Sequence, residues 1–319
     1  EGLFNRKESV ENILVSPWTL DDKHTFHIGE NDVKNPWKIS GLMGMSAMSY
    51  GALGENAISS ISNGLGLATG SWLNTGEGGL APCHLVGGSD IVMQIGPGLF
   101  GVRKINGDWD WDKFIEKANN PNVKGFELKF HQGAKIRGGH VEGSKVSKSI
   151  AQIRGVKEGK NIDSPNRFKF LNDIPALLKW IGRMKEEGQK PVGIKLVMGS
   201  SNSPDQLLKE IVNTNIKPDW ITVDGSEGGS GATYQEMADS MWLPIKSGIV
   251  VLDNALRKYN LRDDIKIFAS GKLYSPDQIA IALGLGADCI NIARGLMISV
   301  GCIQALKCHT NECPVGVAT

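Results

Sequence analysis

The sequence predicts an α/β protein of the (β/α)8 TIM-barrel type, and three observations carry that reading. Eight short runs rich in apolar and β-branched residues recur along the 319 residues. Most are near-continuous apolar stretches, as strands buried on both faces of a parallel sheet are. Helical stretches stand between them, so strand, helix, strand repeats to the end, and right-handed crossovers would close the units into a barrel.

Residues 1–40 read as an N-terminal extension packing on the barrel, and residues 41–319 as the barrel with a cysteine-bearing C-terminal segment. The predicted strands are 41–46, 67–69, 91–95, 123–130, 192–197, 220–224, 265–270 and 289–293. The first three units lack clear helices. Later, Ile174, Leu177, Leu178, Ile181 and Met184 recur at helical spacing, with Lys and Glu opposite that apolar stripe. Ser203-Pro204 opens the next helix and Ser275-Pro276 another, each a capping residue followed by proline in the first turn. Residues 74–88, glycine-rich and aperiodic, and residues 133–167, long and polar, follow strand ends, where barrel enzymes place their active-site loops.

Composition removes several function classes. Lys+Arg 35 against Asp+Glu 34 leaves a formal charge of +1, with no basic excess to hold a nucleic acid. Apolar residues at 40% supply a core, and no apolar run approaches the ~18 residues of a membrane span. Glycine, 40 of 319, is nearly twice its average usage of about 7%. Both ends, Glu1 and Thr319, read as cut, and no signal peptide is visible. Five cysteines are an odd number, and three of them, Cys302, Cys308 and Cys313, lie in the last 18 residues. That pattern suits a metal or cluster site in a reducing compartment, the cytoplasm, rather than a disulfide framework.

Three signals point to chemistry. Cys302, Cys308 and Cys313, with Pro314 after the last, lack the two-residue spacing of zinc knuckles and are compatible with a three-iron cluster. A Cys3His zinc site using His309, and buried free cysteines, are the open alternatives. Glycine-rich strand ends at 224–231, at Ser270-Gly271-Lys272 and at Ala293-Arg294-Gly295 would form a phosphate cup, or serve only tight turns. Lys129 and Lys195 lie inside apolar strands, where alternation points them into the barrel. A buried ammonium needs an anion or an electron-rich ring such as a reduced flavin's pyrimidine end. An internal salt bridge to Glu127 or Asp224 is the competing reading. Glu77 is a lone carboxylate in a glycine loop, an acid/base or a turn residue.

In this order these motifs resemble the flavin-binding synthase domain of glutamate synthase, from about Gly41 onward. The resemblance rests on Ser46-Ala47-Met48-Ser49-Tyr50-Gly51, Asn74-Thr75-Gly76-Glu77-Gly78-Gly79, Gln132-Gly133-Ala134-Lys135, Ile194-Lys195-Leu196-Val197, Gly228-Gly229-Ser230-Gly231-Ala232, Cys308-His309 and Cys313-Pro314-Val315-Gly316-Val317-Ala318-Thr319. It implies FMN and a [3Fe-4S] cluster. Ser46, Ala47 and Met48 would lie along the isoalloxazine ring, with Gln94 and Lys195 at its polar edge. Gly228, Gly229, Gly271, Lys272, Ala293 and Arg294 would hold the phosphate, and the three cysteines the cluster. Lys129, Lys135 and Arg154 match cationic residues around 2-oxoglutarate, and Glu77 the loop glutamate where ammonia arrives.

The implied reaction condenses ammonia with 2-oxoglutarate and reduces the imine to L-glutamate. Electrons would come from a ferredoxin or an NAD(P)H-dependent reductase subunit. The match is to a stand-alone member without the amino-terminal amidotransferase domain. Two stretches depart from the family pattern. The glycine turn after the substrate lysine is shortened, and the glutamine expected next is His140, assigned here to the substrate. A Pro-Pro-His-His-Asp stretch is replaced by Ser164-Pro165-Asn166-Arg167-Phe168-Lys169-Phe170, which removes a serine of the oxoglutarate pocket. These departures leave room for a different substrate, of the N-methylglutamate-synthase type or another oxo acid, or for a non-catalytic electron-transfer subunit.

Overall fold

The computed structural model describes residues 24–133, 139–228 and 239–319. An antiparallel hairpin of β1 (Phe26–Ile28) and β2 (Trp37–Ile39) comes first. Four parallel strands follow, β3 (Met43–Met45), β4 (Trp72–Asn74), β5 (Asp90–Ile95) and β6 (Val123–Lys129). A second small hairpin, β7 (His140–Val141) with β8 (Ile162–Asp163), interrupts them. The remaining strands are β9 (Val192–Leu196), β10 (Trp220–Asp224), β11 (Lys266–Ser270) and β12 (Cys289–Ile292). The eight longer-range strands pair in chain order, and β12 closes on β3 through Ile290, Asn291 and Ile292, which makes a parallel (β/α)8 barrel.

The helices are α1 (Glu55–Leu67), α2 (Pro82–Leu85), α3 (Trp111–Ala118), α4 (Lys148–Arg154), α5 (Ile174–Gly188), α6 (Asp205–Thr214), α7 (Ile245–Lys258), α8 (Pro276–Gly284) and α9 (Arg294–Ser299). On α5 the expected stripe is the buried one: Leu177, Leu178, Ile181 and Met184 face the barrel, and the Asp173 carboxylate caps the helix by accepting from the Ala176 N–H. Among the described residues no helix is long and apolar enough to cross a membrane.

The second predicted strand is displaced. Leu67 ends α1 and is 87% exposed, and the strand begins only at Trp72. Between them Gly70, at φ +85°, turns the chain so close to residue 40 that a Cβ would lie 2.7 Å from the Ser40 carbonyl oxygen. Helix α1 itself is a unit for which the sequence shows no clear helix. Its buried face is Ala57, Ile58, Ile61 and Leu65, but the serines, asparagines and glycines around them are poor helix formers and mask the period. The loop 74–88 likewise contains a 3-10 turn (Gly76–Gly78) and α2.

Aromatic rings fill the N-terminal end of the barrel. Trp37 from the hairpin packs edge-on against Trp72 (5.6 Å) and Trp220 (6.2 Å), with Phe268 beside all three. Room for these indoles comes from glycines on neighbouring strands: a Cβ on Gly44 would strike Trp72, and one on Gly193 would strike Trp220. The indole N–H groups of Trp37, Trp72 and Trp220 donate to Asp90, Asn291 and Glu127. Burying them therefore leaves no unmet donor, and the floor of the barrel is sealed.

Candidate active site at the C-terminal face of the barrel

Directly above this floor the C-terminal strand ends and their loops enclose a cavity of about 260 Å³. Most residues singled out from the sequence line it: Ser46, Ala47, Met48, Glu77, Gln94, Lys129, His140, Arg154, Lys195, Gly228, Gly271, Lys272, Ala293, Arg294, Cys302, Cys308 and Cys313, while His309 and Glu127 do not. Lys135 and Gly229 lie outside the described residues. Barrel topology performs this gathering, because a residue at each strand end reaches the same opening.

Lys129 on β6 and Lys195 on β9 are direct neighbours in the strand register. Two ammonium groups side by side in a buried site repel, so each takes its own carboxylate. Lys129 Nζ lies 2.8 Å from Glu77 Oε1 and also donates to Gln132 Oε1 at 2.8 Å. Lys195 Nζ is 3.4 Å from Asp224 Oδ2, and the same carboxylate accepts from the Gly133 N–H at 2.8 Å. Of the two partners named for these lysines from the sequence, Asp224 is found on Lys195, whereas Lys129 takes Glu77, which the sequence reading did not name as a partner. Glu77 is held in place by glycine: a Cβ on Gly96 would fall 2.2 Å from its Oε2.

Glu127 is instead the centre of a polar layer under the cavity. Its two oxygens accept from Asn74 Nδ2, Gln94 Nε2, Trp220 Nε1 and the Thr222 hydroxyl. Four neutral donors satisfy this fully buried carboxylate. Gln94 Nε2 gives one of its two hydrogens to Glu127, which turns the amide so that its other N–H and its oxygen remain to offer a ligand. Nothing in the apolar run of β6 reveals this layer.

On the opposite wall, Arg154 donates to the Tyr50 carbonyl oxygen at 2.9 Å and stands over the Phe100 ring. Burial pushes its guanidinium down to about 10, and nearby Glu77 partly offsets this, so it stays cationic at neutral pH. His140 pairs directly with Asp163 across the β7–β8 ladder, and its Nδ1 is 2.7 Å from the Asp163 carboxylate. Ser164, the next residue, lines the cavity, so the divergent stretch 164–170 still supplies a hydroxyl there. Phe168 and Phe170 of that stretch pack in a second aromatic cluster, with Phe130 and Trp180.

The phosphate-cup candidates lie along another side. The Ser46 and Ser270 hydroxyls are 3.0 Å apart, and Gly271 follows at φ +154°. A Cβ on Gly271 would lie 3.0 Å from the Ile245 side chain. Lys272 is bonded to Asp239, while Arg294 makes no ion pair among the described residues. Lys129, Arg154, Lys195, Lys272 and Arg294 together outnumber the carboxylates at the cavity, Glu77 and Asp224, which makes it a site for an anionic ligand.

All five cysteines are free thiols. Burial raises Cys308, and so does the neighbouring Cys302, whereas Lys145 opposes both. Burial also raises Cys313, but the backbone N–H groups of 315–318 outweigh it and leave the thiol lowered. The Gln304 N–H donates to Cys302 Sγ. Among the described residues no group of three or more His, Cys, Asp or Glu side chains is placed to hold a single metal ion. Sequence reasoning missed Lys145, whose only signal is a lone lysine in Gly143-Ser144-Lys145-Val146. Its ammonium is buried, donates to the carbonyl oxygens of Ala52 (2.8 Å) and Cys308 (2.6 Å), and is pushed down to about 8 by burial.

Comparison with known proteins places this geometry. Residues 4–319 match the conserved region in glutamate synthase. The glutamate synthase large subunit-like protein YerD of Bacillus subtilis is 54% identical over 100% of this chain and 61% of its own length. The archaeal glutamate synthase (NADPH) of Methanocaldococcus jannaschii is 32% identical over 85% of this chain and 50% of its own. The chain thus spans about half to three-fifths of the length of these relatives. Among solved structures, a mandelate oxidase variant with an FMN adduct shares the fold at TM-score 0.52 and 13% identity, covering 92% of this chain and 74% of that one.

Proposed function

The chain belongs to the glutamate synthase family, and from that premise we propose that it is an FMN and iron–sulfur oxidoreductase that reduces the imine of 2-oxoglutarate and ammonia to L-glutamate. The observation that carries this reading is one cavity bringing together a cationic wall, glycine-bearing strand ends and three free thiols.

The residues fit FMN. The bare backbone at Gly271 and Gly228, with Lys272, Ala293 and Arg294, offers amide groups and positive charge to a phosphate. The Gln94 amide oxygen and the Lys195 ammonium suit the donor and acceptor edge of a flavin ring, and Ser46, Ala47 and Met48 its flat side. They also fit a polynuclear cluster. In such a cluster each thiolate binds its own iron, so the thiols need not converge on one point; the Gln304 N–H is directed at Cys302 Sγ, and backbone N–H groups lower the Cys313 thiol. When bound, these groups supply hydride transfer to the substrate carbon and single-electron relay.

The chain's own residues bind and orient. Lys129, Lys135, His140 and Arg154 hold the dicarboxylate, and Glu77, fixed by Lys129, is the carboxylate that exchanges a proton where ammonia arrives. The sealed aromatic floor keeps bulk water from that end of the cavity, which favours imine over hydrate. Electrons would enter from a ferredoxin or an NAD(P)H-dependent reductase subunit, and the free thiols suit the reducing cytoplasm.

The test is an anaerobic ultraviolet–visible spectrum with iron and acid-labile sulfide analysis, followed by an assay with reduced donor, ammonium and 2-oxoglutarate. Flavin and cluster absorption with glutamate formation supports the proposal; a fully loaded protein that forms no glutamate overturns it. The His140–Asp163 pair, standing where the family has glutamine, favours a second reading, the same cofactors with another oxo acid or an N-methylglutamate-type product. A higher kcat/KM for such a substrate than for 2-oxoglutarate would select it.

A further inference from the structure

We propose that Lys145 is the built-in counter-cation of the cysteine site and the clamp that ties the Cys308 loop to the loop after β3. The inference rests on the three cysteines being cluster ligands, as proposed above. Lys145 is a positioning residue in this scheme, since it reaches the site through backbone oxygens.

Among the described residues Lys145 is paired with no carboxylate. Lys129, Lys185 and Lys195, also buried, each have one within 3.4 Å. Lys145 instead meets the carbonyl oxygens of Ala52 and Cys308. Lys190, at the other end of the barrel, is likewise held by carbonyls, those of Asn120 and Val123, so carbonyls alone can seat a buried ammonium. What sets Lys145 apart is its place: it is bonded at 2.6 Å to the backbone of Cys308, one of the three cysteines that line the cavity together. A buried cation without a carboxylate, beside thiols that would be ionised as ligands, is the arrangement that balances charge in a desolvated site.

The mechanical part is equally local. The segment carrying Lys145 also donates from the Glu142 N–H to the His309 carbonyl oxygen at 3.1 Å, so it grips two successive carbonyls of the cysteine loop. Beyond Ala52, the Gly54 N–H donates to the Val317 carbonyl oxygen at 2.9 Å. The cysteine segment is thus sewn to the loop that follows Ser46, Ala47 and Met48, the flavin side of the cavity, and Lys145 is the charged stitch.

A fixed positive charge favours the more negative, reduced state of a cluster and raises its potential. The test is a dye-mediated redox titration of the anaerobically purified full chain, followed by the paramagnetic signal of the oxidised cluster. Lys145→Met should keep iron and sulfide but shift the midpoint to more negative values by about tenfold in the one-electron equilibrium constant, about 59 mV. Lys145→Arg should stay near the parent. If Lys145→Met loses its iron, Lys145→Gln, an uncharged side chain that keeps an N–H donor, is measured instead with the same shift expected. An unshifted midpoint in an uncharged variant with its cluster intact overturns this proposal alone. A parent protein without iron and sulfide overturns it together with the cluster reading.

Discussion

Lys129 and Glu77 meet 52 residues apart in sequence, Nζ to Oε1 at 2.8 Å, with each side chain about nine-tenths buried. Removing one partner leaves the other charge buried and unpaired, which costs about 3–5 kcal/mol. Lys129→Met should lower the urea unfolding free energy by that order. Glu77→Gln keeps an acceptor for the ammonium and should lower it less. Combining the two should recover part of the loss, and glutamate formation should fall by roughly 10²–10⁴ in each single variant.

Lys195 is proposed to face the flavin's polar edge, and Asp224 holds it there. Hydrogen bonds to charged groups contribute about 1.5–3 kcal/mol. Lys195→Met should therefore weaken FMN binding roughly 10- to 100-fold, read by equilibrium dialysis. An unchanged dissociation constant would place Lys195 outside the flavin site.

The cysteines divide into two sets. Cys302, Cys308 and Cys313 line the cavity, whereas Cys83 and Cys289 are buried in the apolar core and their thiols are pushed up by burial, Cys83 to about 11. Serine at 302, 308 or 313 should strip iron and acid-labile sulfide from the purified protein. Serine at 83 or 289 should leave both at parental content, measured on the same preparations.

His84 provides a pH signature. Burial lowers its imidazole to about 4, and the neighbouring Ala81 and Met48 backbone only partly offsets that. Between the ordinary value of 6.5 and about 4 the unfolded chain binds the proton and the folded chain does not. Stability therefore falls as pH drops through that window, by about 3 kcal/mol in total. His131, lowered by burial as well, adds to the slope. His84→Gln should flatten this part of the profile in urea unfolding followed from neutral to acidic pH.

The barrel strands from β5 onward were readable because a strand buried on both faces must be apolar along its length, whereas β7 and β8 lie in the polar stretch 133–167 that reads as a loop. β4 was not, since its three residues include Asn74, which serves Glu127 and the Gly76 N–H rather than the apolar core. Helix α1 was hidden by its serines and glycines, although Ile58 and Ile61 are fully buried on its inner face. Lysines inside apolar strands and a compact cysteine run were conspicuous because burying a charge or grouping thiols needs a compensating reason. Lys145 and Asp163 lie in a polar stretch where nothing separates them from ordinary surface residues.

By itself the sequence determined the barrel class, the strand ends facing the cavity and the family, because alternation, helical period and short motifs are local properties of the chain. Tertiary structure alone decided that Lys195 takes Asp224 while Lys129 takes Glu77, that Glu127 is satisfied by neutral donors, and that Lys145 reaches Cys308 across 163 residues. Those pairings depend on strand register, on barrel closure and on where long loops fold back. Each is set by the summed packing of many distant residues rather than by the identity of the two that meet.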